Sequence, residues 1–150
     1  AAETGAKAAA TPAEAANGAD CVVIIVPTSK QVGEAVEAML PSLKPGMLVI
    51  DMTSGQPGRT REIAAMLEGH GIAMIDCPVS GGVPRAKSGQ LAIMVGGPAA
   101  EIDRAEPVLK AMGTSVYRCG DIGAGQSAAA VGAVAAEVSH LATNAYSVGT

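Results

Sequence analysis

The chain has 150 residues, 49% of them hydrophobic, and a formal net charge of −4. That length supports one domain with a real core, since such a chain buries about 68–70% of its unfolded surface. The mild acidity is spread along the sequence with no basic cluster, which argues against a nucleic-acid partner, and with Tyr117 and Tyr146 as its only aromatics the chain offers no base-stacking platform.

Residues 1–20 are rich in alanine, and Ala13-Glu14-Ala15-Ala16 predicts one or two helical turns before Asn17-Gly18. Cys21 to Val26 is a continuous apolar, β-branched run, the mark of a strand buried on both faces of a parallel sheet. Pro27 ends it, and Thr28 or Ser29 caps a helix through about Leu43, with Val32, Val36, Met39 and Leu40 on one face. Met47 to Ile50 is the second strand, closed by Asp51-Met52-Thr53-Ser54. Pro57 suits the first turn of the next helix, whose apolar face is Ile63, Met66 and Leu67. Ile72 to Ile75 is a third strand, ending at Asp76 and Pro78.

Val83 to Ser88 reads as a short helix or irregular crossing, and Leu91 to Val95 as a fourth strand. A helix from about Ala99 to Met112 and a short strand from Ser115 to Arg118 follow. From Gly125 to about Val148 the pattern is helical again. Strands alternating with long crossings predict an α/β domain with a mainly parallel sheet. The short crossing at 83–88 leaves room for one antiparallel pair. In the final helix Ala128, Val131, Val134, Ala135, Val138, Leu141 and Ala142 cover most of the circumference. Such a helix is expected to be buried against a second domain or a partner subunit.

Cys21, Cys77 and Cys119 are odd in number and widely spaced. They match no metal spacing and read as buried reduced thiols of a cytoplasmic protein. No signal peptide is visible, and the apolar segment Ala128 to Ala136, nine residues long, is too short to span a bilayer. Neither a metal nor a membrane is expected.

Ser80-Gly81-Gly82 stands at a strand's carboxyl end, where open α/β sheets put their ligands. Its two glycines let backbone N–H groups approach an anion such as a carboxylate. By itself the triplet also reads as a tight turn. Its setting says more. Asp76-Cys77-Pro78-Val79-Ser80-Gly81-Gly82, then Ala86, Ser88-Gly89-Gln90-Leu91 and Met94-Val95-Gly96-Gly97, resemble the substrate segment of the β-hydroxyacid dehydrogenases, the family of 3-hydroxyisobutyrate dehydrogenase and tartronate semialdehyde reductase. Val26-Pro27-Thr28 and Asp51-Met52-Thr53-Ser54 resemble that family's two strand-end segments beside the cofactor. Gly120-Asp121-Ile122-Gly123-Ala124-Gly125-Gln126 resembles the lead into its long interdomain helix.

The resemblance implies a Rossmann-like fold over residues 1–122 and the start of an interdomain helix over 123–150. It implies NAD or NADP as cofactor, with Val26, Pro27, Gln31, Thr53 and Ser54 lining it. Ser80, Gly81 and Gly82 would hold the carboxylate of a small 3-hydroxy acid, positioning its carbon for hydride transfer. A homo-oligomer, or a C-terminal domain packed on the final helix, would be the partner.

Two departures accompany the match. No Gly-x-Gly-x-x-Gly after a strand occurs in residues 1–20, so the chain resembles a family member that begins after its first βαβ unit. The family's catalytic lysine falls on Ala129, and its paired asparagines on Gly132 and Ala133. Alanine and glycine cannot move a proton, and Lys110 is the last lysine in the chain. No catalytic residue is therefore assigned. The rival reading is a non-catalytic carboxylate- or nucleotide-binding module, or a dimerisation module, of the same ancestry. His140 lies eleven residues beyond Ala129, ~16 Å along a helix, too far to replace the lysine. His70 reads as a solvated helix-end residue, Arg85 and Lys87 near the Ser-Gly-Gly turn as surface charges or as positive charge for an acid substrate, and Asp76 as orienting its loop or simply ending its strand.

Overall fold

The computed structural model describes the backbone of residues 5–147 and the side chains of residues 5–135. Six strands are formed among them: β1 (Cys21–Ile24), β2 (Leu48–Asp51), β3 (Ala73–Asp76), β4 (Val79–Ser80), β5 (Leu91–Gly96) and β6 (Gly113–Gly120). The helices are α1 (Pro12–Ala16), α2 (Ser29–Met39), α3 (Pro57–Glu68), α4 (Gly82–Lys87), α5 (Ala99–Met112) and α6 (Ala124–Ser147), with one 3-10 turn at Leu40–Ser42.

β1, β2 and β3 pair in parallel, and β5 and β6 form a second parallel pair. The two groups meet through β5, which runs antiparallel to both β3 and β4. Length dictates that reversal. A parallel crossover needs a dozen or more residues and usually a full helix, whereas α4 has six residues. Two antiparallel pairings result where one was expected, because Val79–Ser80 itself forms a strand rather than a simple turn. Gly81 makes the bend into α4 at φ 133°, and a Cβ there would sit 2.7 Å from Arg85 Cδ. A side chain is excluded on both counts.

Period-two alternation divides the apolar residues between the sheet's two faces. Met47, Val49, Met74 and Ile24 pack with Val32, Val36, Ile63 and Leu67 of α2 and α3. Leu48, Ile50, Ile75, Ile93 and Val95 pack with Ile102, Ala105 and Leu109 of α5. α2 begins where expected: Thr28 Oγ1 accepts the Gln31 amide at 3.3 Å, capping the helix. Pro57 opens α3, where its missing N–H costs nothing.

β1 departs from expectation. It stops at Ile24, because the Val26 amide turns to Thr53 Oγ1 at 3.1 Å and Pro27 has no amide to give. Nor is the run buried on both faces: Val23 is 39% and Ile25 66% exposed. β1 is an edge strand, and on that face Cys21 reaches the core while Val23 and Ile25 do not. α6 leaves Val131 70% and Val134 60% exposed within this chain, on the helix expected to pack against a second domain or a partner subunit. The expected burial of Val138, Leu141 and Ala142 concerns side chains outside the described residues.

Leu67 and Leu109, both fully buried, anchor the two halves of the core. Leu67→Ala and Leu109→Ala should each cost about 2–5 kcal/mol in urea unfolding. Val131→Ala should stay within about 0.5 kcal/mol of the parent. A large loss at Val131 would mean that α6 is covered.

Candidate functional site

The site is built at the carboxyl ends of β2 and β3, where Asp51 and Asp76 are register partners and both are buried. Asp76 Oδ1 accepts the Gly123 amide at 2.6 Å, and Oδ2 accepts the Gln126 amide at 2.8 Å. These are donors of the first turn of α6, which a helix leaves unpaired and which favour negative charge. The carboxylate therefore fixes α6 to the sheet. Contact is close enough to exclude side chains: a Cβ on Gly125 would lie 2.5 Å from the Met94 carbonyl oxygen and 2.8 Å from Asp76 Oδ2.

Gln126 is buried as a result, and its side chain works in both directions. Oε1 accepts the Gly55 amide at 2.8 Å, and Nε2 donates to the Thr53 carbonyl at 2.6 Å. The loop after β2 is thus tied to α6. It is also tied to the segment after β1: Thr53 Oγ1 accepts from Val26, and the Gln56 amide donates to Ser29 Oγ at 2.8 Å. Every buried side-chain nitrogen and oxygen among the described residues has a partner.

Burial shifts the acids. Desolvation pushes Asp51 up to about 6, against the opposing hydrogen bonds from Thr53. Asp76 is also raised, mainly by desolvation, with the Gly123 and Gln126 amides and the Arg61 charge pulling the other way. Of the three cysteines expected to be buried, Cys77 is, while Cys21 at the edge strand and Cys119 near the end of β6 are partly exposed. The Cys77 thiol is driven far up by desolvation and by both carboxylates, so it is no nucleophile. Among the described residues no group of three or more His, Cys, Asp or Glu side chains could hold a metal ion.

These ties leave a cavity of about 730 Å³ between the two strand-end segments and α6. Pro27 and Ser54, both expected beside a cofactor, line it. Val26 and Thr53 hydrogen-bond each other but do not line it, and Gln31 is spent capping α2. Ser80, Gly81 and Gly82 lie at the β4–α4 turn and do not line this cavity. Ala129 and Ala133 do, with Ala130 beside them, while Gly132 does not. His70, Arg85 and Lys87 are exposed, and the His140 side chain lies outside the described residues.

Sequence reasoning missed Ser29, Lys30, Gln56, Arg59 and Gln126 in this wall. For Gln126 a signal existed: a long amide directly after Gly123-Ala124-Gly125, at the start of an apolar helix. Lys30 and Arg59 carried none, because on a helix each reads as an ordinary solvated charge.

A family model described as the NAD binding domain of 6-phosphogluconate dehydrogenase matches residues 1–120. Mouse mitochondrial 3-hydroxyisobutyrate dehydrogenase is 40% identical over 129 residues, which are 84% of this chain and 38% of that protein. The NAD-dependent L-serine dehydrogenase of Pseudomonas aeruginosa is 39% identical over 127 residues, 83% of this chain and 43% of that one. The structure of Mycobacterium tuberculosis 3-hydroxyisobutyrate dehydrogenase with L-serine superposes with a TM-score of 0.84 at 37% identity, covering 87% of this chain and 45% of the other. The chain spans about two fifths of the length of the curated relatives it matches. Among the described residues, no helix is long and apolar enough to cross a membrane.

Folding raises the Asp51 pKa from 3.8 to about 6. Between those values the folded chain keeps a proton that the unfolded chain has released. Stability should therefore fall as pH rises from about 4 to about 6, by roughly 2–3 kcal/mol, and change little from this group above that. Urea unfolding across this range should show the slope, and Asp51→Asn should reduce it, leaving the part due to Asp76.

Gln126→Ala removes an acceptor and a donor from buried backbone groups and should cost about 1–3 kcal/mol. Hydrogen exchange at Gly55 should accelerate with it. Unchanged exchange there would show that Gln126 does not hold the loop.

Proposed function

Because the chain belongs to the β-hydroxyacid dehydrogenase family, we propose that it is the cofactor and substrate segment of an NAD(P)-dependent 3-hydroxyacid dehydrogenase, catalytically impaired as its sequence stands. One observation carries this reading: Ala129 lines the same cavity as Pro27 and Ser54. In this reading a methyl group stands where a proton-transferring side chain would work.

The residues present suit the nicotinamide half of a dinucleotide. The cavity opens at the carboxyl ends of parallel strands, the usual ligand position in such sheets. Pro27 and the alanines of α6 offer apolar surface, and Ser29, Ser54 and Gln56 offer polar groups. When bound, NAD or NADP would supply or accept the hydride. Val26 and Thr53 would brace the wall, and Gln31 would hold the start of α2. Ser80, Gly81 and Gly82 would take the carboxylate of a small 3-hydroxy acid at the β4–α4 turn. The alkyl side chain of Ala129 can neither accept nor return the hydroxyl proton.

In this reading residues 1–122 are the nucleotide-binding part and 123–150 begin an interdomain helix. Three free cysteines fit a reducing compartment such as the cytoplasm. A second reading, a non-catalytic binding or pairing module, is favoured by the exposed Val131 and Val134. There α6 would take a second copy or a further domain.

Titration with NADH and NADPH, followed by nicotinamide fluorescence, should show saturable binding to the folded chain. Ala129→Lys should then raise turnover of a 3-hydroxy acid by about 100-fold or more, the scale of a positioned general acid–base. Binding without any gain would favour the pairing module, and no binding by a folded chain would overturn the cofactor assignment.

A further inference from the structure

The cavity has a charge pattern that the family reading does not use. Among its described lining residues two side chains are charged, Lys30 and Arg59, and both are cations. They come from the first turns of α2 and α3, brought together because β1 and β2 are adjacent. Arg59 is held in place. Its Nη1 donates to Glu62 at 2.8 Å, and its Nη2 lies over Gly33, where a Cβ would be 3.1 Å away. The missing side chain at position 33 lets the guanidinium rest against α2.

Lys30 is tied more loosely, 3.6 Å from Glu34 with both side chains largely exposed. So weak a surface pair leaves the ammonium free to turn to a ligand. Between the two cations, Ser29 Oγ accepts the Gln56 amide. Its own hydroxyl proton is left to donate. A guanidinium, an ammonium and a hydroxyl donor on one cavity match an oxyanion of high charge, a phosphate or a carboxylate. Ala129 and Ala133 of α6 add methyl groups to the lining.

We propose that this cavity selects a dianionic ligand: a hydroxy acid carrying a second carboxylate or a phosphate, the extra oxyanion held by Arg59 and Lys30 with Ser29. That the ligand is a hydroxy acid rests on the dehydrogenase reading; the preference for a second negative charge rests on the cavity alone. The same chemistry would also accept a phosphate of the cofactor, and the experiment separates the two sources.

The full chain is titrated by calorimetry with malonate, inorganic phosphate and acetate at one fixed ionic strength, then with NADH in the presence and absence of malonate. Malonate and phosphate should bind at least about tenfold more tightly than acetate, and Arg59→Ala and Lys30→Ala should each cost about tenfold. Arg59→Lys should keep part of the affinity, and Lys110→Ala all of it. Equal affinity for acetate, or malonate binding indifferent to both alanine variants, overturns the proposal. Displacement of malonate by NADH overturns the assignment to substrate and gives the cations to a cofactor phosphate. Arg59-dependent malonate binding in a chain that does not bind NADH upholds the dianion site and overturns the dehydrogenase reading instead.

Discussion

A carboxylate buried at the end of β3 accepts two amides from the first turn of α6, and the rest of the site depends on that contact. Asp76 is costly to bury, and desolvation raises its pKa accordingly. The helix terminus offsets that cost, because its unpaired donors need an acceptor as much as the carboxylate needs donors. Mutual need fixes both the direction and the depth of α6. Depth in turn demands Gly125, since any side chain there would strike the β5 backbone.

From that anchor the arrangement spreads through one amide. Gln126 is carried into the interior between α6 and the loop after β2, where it holds Thr53 and Gly55. Thr53 braces Val26, and Ser29 braces Gln56. Three chain segments far apart in sequence thereby enclose one cavity. Its walls are set by hydrogen bonds, while the apolar core lies lower, on the two faces of the sheet. A site of this kind keeps its geometry when side chains that merely line it change.

Ala129 illustrates the separation of geometry from chemistry. The helix, its glycine-rich entry and the strand-end loops are those of the family, and the position still faces the cavity. In the dehydrogenase reading proposed above, a functional group is missing there while the fold around it is kept. The cations Lys30 and Arg59, at exposed first-turn positions, show the converse: charge can enter such a wall without disturbing the core beneath it.

Much of the fold was legible in the sequence. Continuous apolar runs bounded by Pro27, Asp51 and Asp76 marked the first three strands, and Pro57 and Thr28 marked helix starts, because these signals are local. Fixed residues from Asp76 to Gly97 identified the family, and Gly-Ala-Gly-Gln located position 129. Local pattern failed where burial depends on neighbours: Val23 and Ile25 read as core, yet stand exposed because β1 is an edge strand. Tertiary structure alone decided that Asp76 grips α6, that Gln126 bridges two loops, and that Lys30 and Arg59 share one wall. Each of these joins residues between 29 and 73 positions apart, and no periodicity along the chain encodes which distant donor will meet a buried acceptor.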